Sequence, residues 1–236
     1  MVEDEKWLNT DKIIDSAIST YRQSLLSACP NHVVIDNLFA ASKLDDVIAI
    51  LQQPQYWQTQ QHTYSALYVD QDQWQQASIE ERFVQRDSWQ RDPDKQPITT
   101  ANSAQEFLNF LRSDEFMLVL SKIFNTHITD INVGDPAINT NYFRLRANDF
   151  VEQHADDSPG RKICMLLYLN THWKKELGGE LVFIGEHDNP ISIAPLFNRC
   201  VLFDPSSKGS EHWVNKLNSL GPHQYRYNIT SWYWSE

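Results

Sequence analysis

From about residue 128 onward the chain is cut into short apolar segments, and this cutting restricts its folds more than any other feature. The segments span 128–133, 140–146, 150–154, 163–169, 180–183, 200–203, 211–214 and 224–234. Between them stand turn signals: Gly134-Asp-Pro136, Ser158-Pro-Gly160, Gly178-Gly179, Asn189-Pro190, Asp204-Pro-Ser206 and Gly221-Pro222. About eight short strands joined in this way predict a double-sheet jelly roll, the cupin-like double-stranded β-helix. The expected class is mainly β, with α+β character from helices upstream.

Those helices are read from spacing. Leu8, Ile13, Ile14, Ala17, Ile18, Tyr21, Leu25 and Leu26 recur at helical intervals, predicting one or two amphipathic helices that end before Pro30. A short strand is expected over 32–36, then a helix capped by Ser42 and closed by Pro54. Residues 103–124 read as a helix or helix pair. Residues 55–100 are rich in Gln yet carry Trp57, Tyr64, Tyr68, Trp74, Phe83 and Trp89, too many aromatics for a disordered linker. Irregular structure draped over the core, and over a substrate entrance, is expected there. The chain thus divides into an N-terminal helical extension, 1–30, and one domain, 31–236, with its jelly-roll core at about 128–236.

Composition excludes some partners. A formal net charge of −11 and pI near 5.1 argue against nucleic-acid backbones and anionic membranes. No run is long enough to span a bilayer, and no secretory signal precedes the first helix. Cys29, Cys164 and Cys200, odd in number and widely spaced, read as reduced thiols of a cytoplasmic protein.

The chemistry-bearing residues sit inside the strand pattern. His154 and Asp156 are two apart, so a β-strand would project both from one face. Alone the pair is a common coincidence. With His212 it becomes two imidazoles and one carboxylate, the set that holds Fe(II) on one face and leaves positions open. The open positions in such sites often take a 2-oxo acid, whose distal carboxylate needs a fixed cation. Arg226 suits, and in the last segment Arg226, Asn228, Thr230, Trp232 and Trp234 share one face. Tyr168, near the end of the 163–169 run, is a third hydrogen-bonding candidate; plain core packing is the alternative reading for it.

His154-Ala-Asp156, the run 160–170, Trp173, Gly178-Gly-Glu-Leu181, the segment 195–203, His212 and the segment 226–234 together resemble the prolyl 4-hydroxylase branch of the 2-oxoglutarate- and Fe(II)-dependent dioxygenases. The resemblance covers residues 128–236 well and 31–125 loosely. It implies that His154, Asp156 and His212 bind iron, that Tyr168, Arg226 and Thr230 hold 2-oxoglutarate, and that Trp232 packs close to the metal and substrate. It further implies O2 as co-substrate, ascorbate as an accompanying cofactor, and coupling of C–H hydroxylation to decarboxylation of 2-oxoglutarate to succinate. One departure stands out. Where the family often has a Tyr nine or ten residues before the first iron ligand, this chain has Leu145 and Arg144. Tyr142 is a candidate substitute, and Arg144 with Arg146 a candidate contact for a carboxylate-bearing substrate, ordinary salt bridges being the alternative. The expected activity is hydroxylation of a prolyl residue in a protein or peptide. A free amino acid or small metabolite as substrate, and a catalytically silent cupin-like binding module, are the other readings.

Overall fold

A computed structural model describes residues 6–91, 102–187, 189–218, 221 and 224–235. The N-terminal half supplies α1 (Asp15–Ser27), β1 (His32–Asp36), α2 (Ala41–Leu51), β2 (Trp57–Thr63), α3 (Gln71–Gln76), β3 (Arg82–Trp89), α4 (Ser103–Leu111) and α5 (Asp114–Phe124). Strands dominate thereafter: β4 (Ile128–Thr129), β5 (Thr140–Leu145), β6 (Phe150–Val151), β7 (Arg161–Tyr168) and β8 (Leu181–Glu186). The last four are β9 (Asn189–Ile193), β10 (Arg199–Phe203), β11 (His212–Val214) and β12 (Arg226–Ser235).

The large sheet runs β1-β10-β7-β12-β5-β3-β2, with β4 beside β12 and β6 beside β3, and the small sheet runs β11-β8-β9. Strand β7 explains how two layers cover the large sheet. Its Ile163, Met165 and Leu167 face the helices and join a core with Phe39, Leu44, Phe107, Phe116 and Leu120. Its Cys164, Leu166 and Tyr168 face the small sheet and pack with Leu181, Phe183, Val201 and Phe203. A strand buried on both faces reads as an unbroken apolar run, as 163–169 does. Each fully buried Leu or Phe contributes roughly 1.5–3 kcal/mol.

The helical layer is locally determined. The Asn102 carboxamide oxygen accepts from the Ala104 N–H at the start of α4, and the Ser113 hydroxyl from the Phe116 N–H at the start of α5. Helix α5 ends at Asn125, whose φ of 51° is the left-handed conformation that terminates helices. The expected pair over 103–124 is therefore two helices. Helix α2 differs from expectation at its start: Ala40 occupies the cap position and no side chain caps it, so Ser42 lies inside the first turn. Leu8, Ile18 and Leu25 are buried in the same core as the sheet, so the expected extension packs as an integral part of it.

Three strands escaped sequence reading, β2, β3 and β9. Residues 57–63 and 82–89 are not irregular: β2 and β3 pair antiparallel from Trp57 opposite Trp89 to Thr63 opposite Arg82. Their polar residues hid them because β2 is an edge strand with no in-and-out alternation, buried only at His62 and Thr63. Residues 92–100 of the expected irregular segment lie outside the described residues. Strand β9 contains Asn189-Pro190, read as a turn; it is the edge of the small sheet, where a missing N–H costs little. Among the described residues no helix is long and apolar enough to cross a membrane.

Candidate active site

The backbones of His154 and His212 tie the segment after β6 to the small sheet. These exchange both N–H···O bonds, at 3.0 and 2.9 Å, as an isolated antiparallel bridge. His212 is the first residue of β11, whereas β6 has already ended at Val151. His154-Ala-Asp156 is thus a loop beyond a strand and not the strand expected. Its turn brings the Asp156 carboxylate back between the imidazoles, with Oδ1 3.7 Å from His154 Nε2 and Oδ2 3.8 Å from His212 Nε2.

The second layer of contacts orients all three. His154 Nδ1 lies 2.8 Å from the Glu152 carbonyl and His212 Nδ1 2.9 Å from the Ser210 carbonyl. Each carbonyl fixes the ring proton on Nδ1 and leaves Nε2 as an electron-pair donor. Asp156 Oδ2 accepts from the Trp232 indole N–H at 2.9 Å and from the Cys164 thiol at 3.2 Å. Burial alone would raise the Asp156 pKa; the two histidines, then the indole and thiol, more than offset it and hold the carboxyl at about 2. Burial, reinforced by His154, pushes His212 down to about 4. The site therefore presents an ionised carboxylate and, at His212, a neutral imidazole. The donor atoms all lie within 4.8 Å of one another, and two nitrogens with one carboxylate oxygen suit Fe(II).

Behind the triad, β12 displays its inward face. Arg226 donates from Nε to the Gly179 carbonyl at 2.6 Å and from Nη1 to Asn228 Oδ1 at 2.9 Å. Asn228 in turn donates to the Thr230 hydroxyl at 3.1 Å. The guanidinium carbon stands 5.0 Å from the centre of the Tyr168 ring. Arg226 Nη2 and the Tyr168 hydroxyl are fully buried and, among the described residues, meet no acceptor or donor of their own. Burial pushes the Tyr168 phenol up to about 12, so it stays protonated as a donor. Two unsatisfied buried donors, one cationic, are costly unless an anion is bound between them. The residues fit a carboxylate.

Register decides which neighbours see this space. Leu145 lies opposite Arg226, while Arg144 lies opposite Tyr227 and Tyr142 opposite Ile229. Leu145 therefore lines the cavity with the triad, and Arg144 and Tyr142 point to the other face. Arg144 is buried there, paired with Asp87 at 2.9 Å and lying over the Trp57 and Tyr225 rings. Tyr142 donates to the Ala104 carbonyl at 2.8 Å within the helical core. Neither faces the triad, and Arg146 shares Asp87 in the alternative salt-bridge role. His172 and His187 are exposed, and His223 lies outside the described residues.

Sequence reading missed two residues. Cys164, read only as one of three reduced thiols, donates to Asp156. Arg86 on β3 reaches the cavity of the triad, along with a second cavity of about 610 Å³ that opens from it toward Tyr64, Leu67, Tyr68 and Phe83. The β2–β3 connection therefore borders the entrance, as expected of residues 55–100, although regular strands carry it.

Residues 140–234, which hold every one of these side chains except Arg86 and the β2–β3 contacts, match the family model of the 2OG-Fe(II) oxygenase superfamily. The match is to that segment, well under half of the chain. It is 29% identical over 133 residues to prolyl 3-hydroxylase OGFOD1 of Mus musculus and 28% over 148 residues to that of Xenopus laevis. Those stretches cover 54% and 59% of this chain but 23% and 27% of the relatives, so the chain spans about a quarter of the curated relatives it matches. The fold is similar to a Pseudomonas putida prolyl-4-hydroxylase, with a TM-score of 0.60 at 15% identity over 93% of this chain and 99% of the other. It is also similar to a Trichoplax adhaerens prolyl hydroxylase in complex with a hypoxia inducible factor peptide, at 0.64 and 18% over 93% and 90%. These likenesses give the fold, the double-stranded β-helix of the prolyl 4-hydroxylase-like oxygenases. The His154, Asp156 and His212 donor set is of the kind that suits Fe(II), the metal in that family's name.

Proposed function

We propose that this enzyme hydroxylates a C–H bond of a prolyl residue in a protein or peptide, decarboxylating 2-oxoglutarate to succinate. In this reading His154 and His212 through Nε2, and Asp156 through its carboxylate, hold the metal. Arg226 Nη2, the Tyr168 hydroxyl and the Thr230 hydroxyl hold the distal carboxylate of 2-oxoglutarate. Iron with its co-substrate supplies the oxidising power when bound. The chain's own part is placement: Trp232 and Cys164 fix the Asp156 carboxylate, the two backbone carbonyls fix the imidazoles, and the apolar walls of Leu145, Leu166 and Leu181 exclude water. Ascorbate would serve as the reductant that keeps the iron ferrous, and the unbridged Cys29, Cys164 and Cys200 support a cytoplasmic setting.

The observation that carries the reading is the pair of buried, unpartnered donors behind a carboxylate held ionised by its neighbours. A silent binding module has no use for that combination. The roomy outer cavity favours a peptide over a free amino acid, in keeping with relatives named as prolyl hydroxylases. Anaerobic addition of Fe(II) and 2-oxoglutarate should give a weak visible charge-transfer band that His154→Ala abolishes. Succinate release screened over proline peptides and free amino acids, with products compared to 3- and 4-hydroxyproline, then tests the substrate. Turnover of proline-free substrates alone refutes the prolyl reading.

A further inference from the structure

Arg86 reaches the metal cavity from β3, beside Phe83, whose ring packs on His154, and its surroundings suit it to bind a ligand. Asp87 and Ser88 pair with Arg144 and Phe143 of β5, so Arg86 shares the inward face with Phe143 and Leu145. Its guanidinium lies 3.5 Å from the centre of the Phe143 ring, and its Nε donates to Gln60 Oε1 at 3.1 Å. Among the described residues, its two terminal nitrogens meet no acceptor. They border both the metal cavity and the outer cavity. Burial lowers the Arg86 pKa to about 10, countered in part by Asp156 and Tyr68, so the side chain stays cationic at neutral pH.

The charges then fail to balance. With Fe(II), the Asp156 carboxylate and a 2-oxoglutarate dianion in place, Arg226 brings the inner site to neutrality. Among the described residues Asp156 is the only carboxylate lining the outer cavity, which also holds Arg161 and Arg86. Arg161 is engaged: it bonds the Asp156 backbone carbonyl and stacks on Trp232 and Trp234. Arg86 is left as a stacked, half-tethered guanidinium with an open fork, in a space walled by aromatics. Such a cation recruits an anion with planar, bidentate geometry.

We propose that Arg86 determines substrate choice by binding a carboxylate that the substrate carries close to its target carbon. The proposal rests on the oxygenase reading above. The carboxylate is an acidic side chain next to the target residue, a chain terminus, or the acid group of a small molecule.

The test uses the full chain loaded with Mn(II) and 2-oxoglutarate, which holds the complex without turnover. Short fluorescein-labelled peptides with a central proline are titrated by anisotropy, each as a glutamate and a glutamine version and with a free or amidated C-terminus. N-acetyl amino acids and their amides compete in a parallel arm. Acidic probes should bind about tenfold or more tightly than their amides, the difference expected of a charge-assisted pair. Arg86→Gln should erase that preference and Arg86→Lys should restore much of it, with melting curves confirming that both variants fold. Equal binding of acid and amide to the wild type, or equal weakening of both in Arg86→Gln, overturns the proposal. So does a loss of 2-oxoglutarate affinity with the peptide preference intact, which would assign Arg86 to the co-substrate. If only the small acids bind, and lose binding in Arg86→Gln, the carboxylate assignment stands while the prolyl reading fails. Binding of no acidic probe overturns it.

Discussion

Arg226 concentrates the chemistry of the site in a single side chain. Two of its donors are used to fix its position, one on the Gly179 carbonyl and one on Asn228, which leaves Nη2 pre-aimed with its entropy already lost. A lysine at this position has no fork: its ammonium can satisfy the Gly179 carbonyl or reach a ligand, and not hold both directions rigidly. Arg226→Lys is expected to weaken 2-oxoglutarate binding by about tenfold or more, read by anaerobic calorimetry with Mn(II). Unchanged affinity would show that Tyr168 and Thr230 suffice. The placement of Arg226 was legible in the sequence because strand alternation is local: Arg226, Asn228 and Thr230 needed only the assumption of a strand. Arg144 was left open between two roles for the complementary reason. Choosing between Arg144 and Leu145 requires the register against β12, and one residue of slip exchanges the two faces. Arg86 and Cys164 depend on pairings just as non-local, so no spacing in the chain points to them.

At the scale of the element, the turn entering β8 shows how a loop can hold a side chain in place. Gly178 and Gly179 both have positive φ, 68° and 75°. A Cβ on Gly179 would stand 2.6 Å from Leu217 Cδ2, 3.0 Å from Arg226 Cδ and 3.3 Å from Trp173 Cζ2. Glycine here is therefore needed both for backbone conformation and for the close passage of Arg226, whose Nε takes its carbonyl. Gly179→Ala is expected to cost about 1–3 kcal/mol, from the left-handed conformation and the overpacking together. The urea midpoint should fall with its slope unchanged. The displaced Arg226 should weaken 2-oxoglutarate binding as well, and loss of stability with full affinity would break the link between turn and site. The sequence marked Gly178-Gly179 as a turn but gave no hint of what passes behind it. The same limit hid β9, since Asn189-Pro190 resembles a turn until the position at a sheet edge is known.

Of the molecule's three hydrophobic cores among the described residues, the two largest share one sheet. The core between the sheets surrounds the site, and the larger one between sheet and helices keeps β7 and β12 in place. Helix α1 packs on β1 and α5, and Leu8 bridges to Phe39 in the backbone as well as packing. Burial of Leu8, Ile18 and Leu25 contributes roughly 1.5–3 kcal/mol each. Their removal would also expose the faces of β1 and α5 that they cover. That total rivals the few kcal/mol, about 5–15, by which a domain is stable at all. Deletion of residues 1–28 is therefore expected to abolish a cooperative thermal transition in circular dichroism and to shift the protein to aggregates in size exclusion. Ile18→Ala, a milder cut in the same layer, should lower the melting temperature while leaving 2-oxoglutarate affinity intact, because it touches only the helical side of the sheet. If the shortened chain instead melts at the temperature of the full one, the N-terminal helix is an appendage, and the stability of the oxygenase sheet must come from α2, α4 and α5 alone.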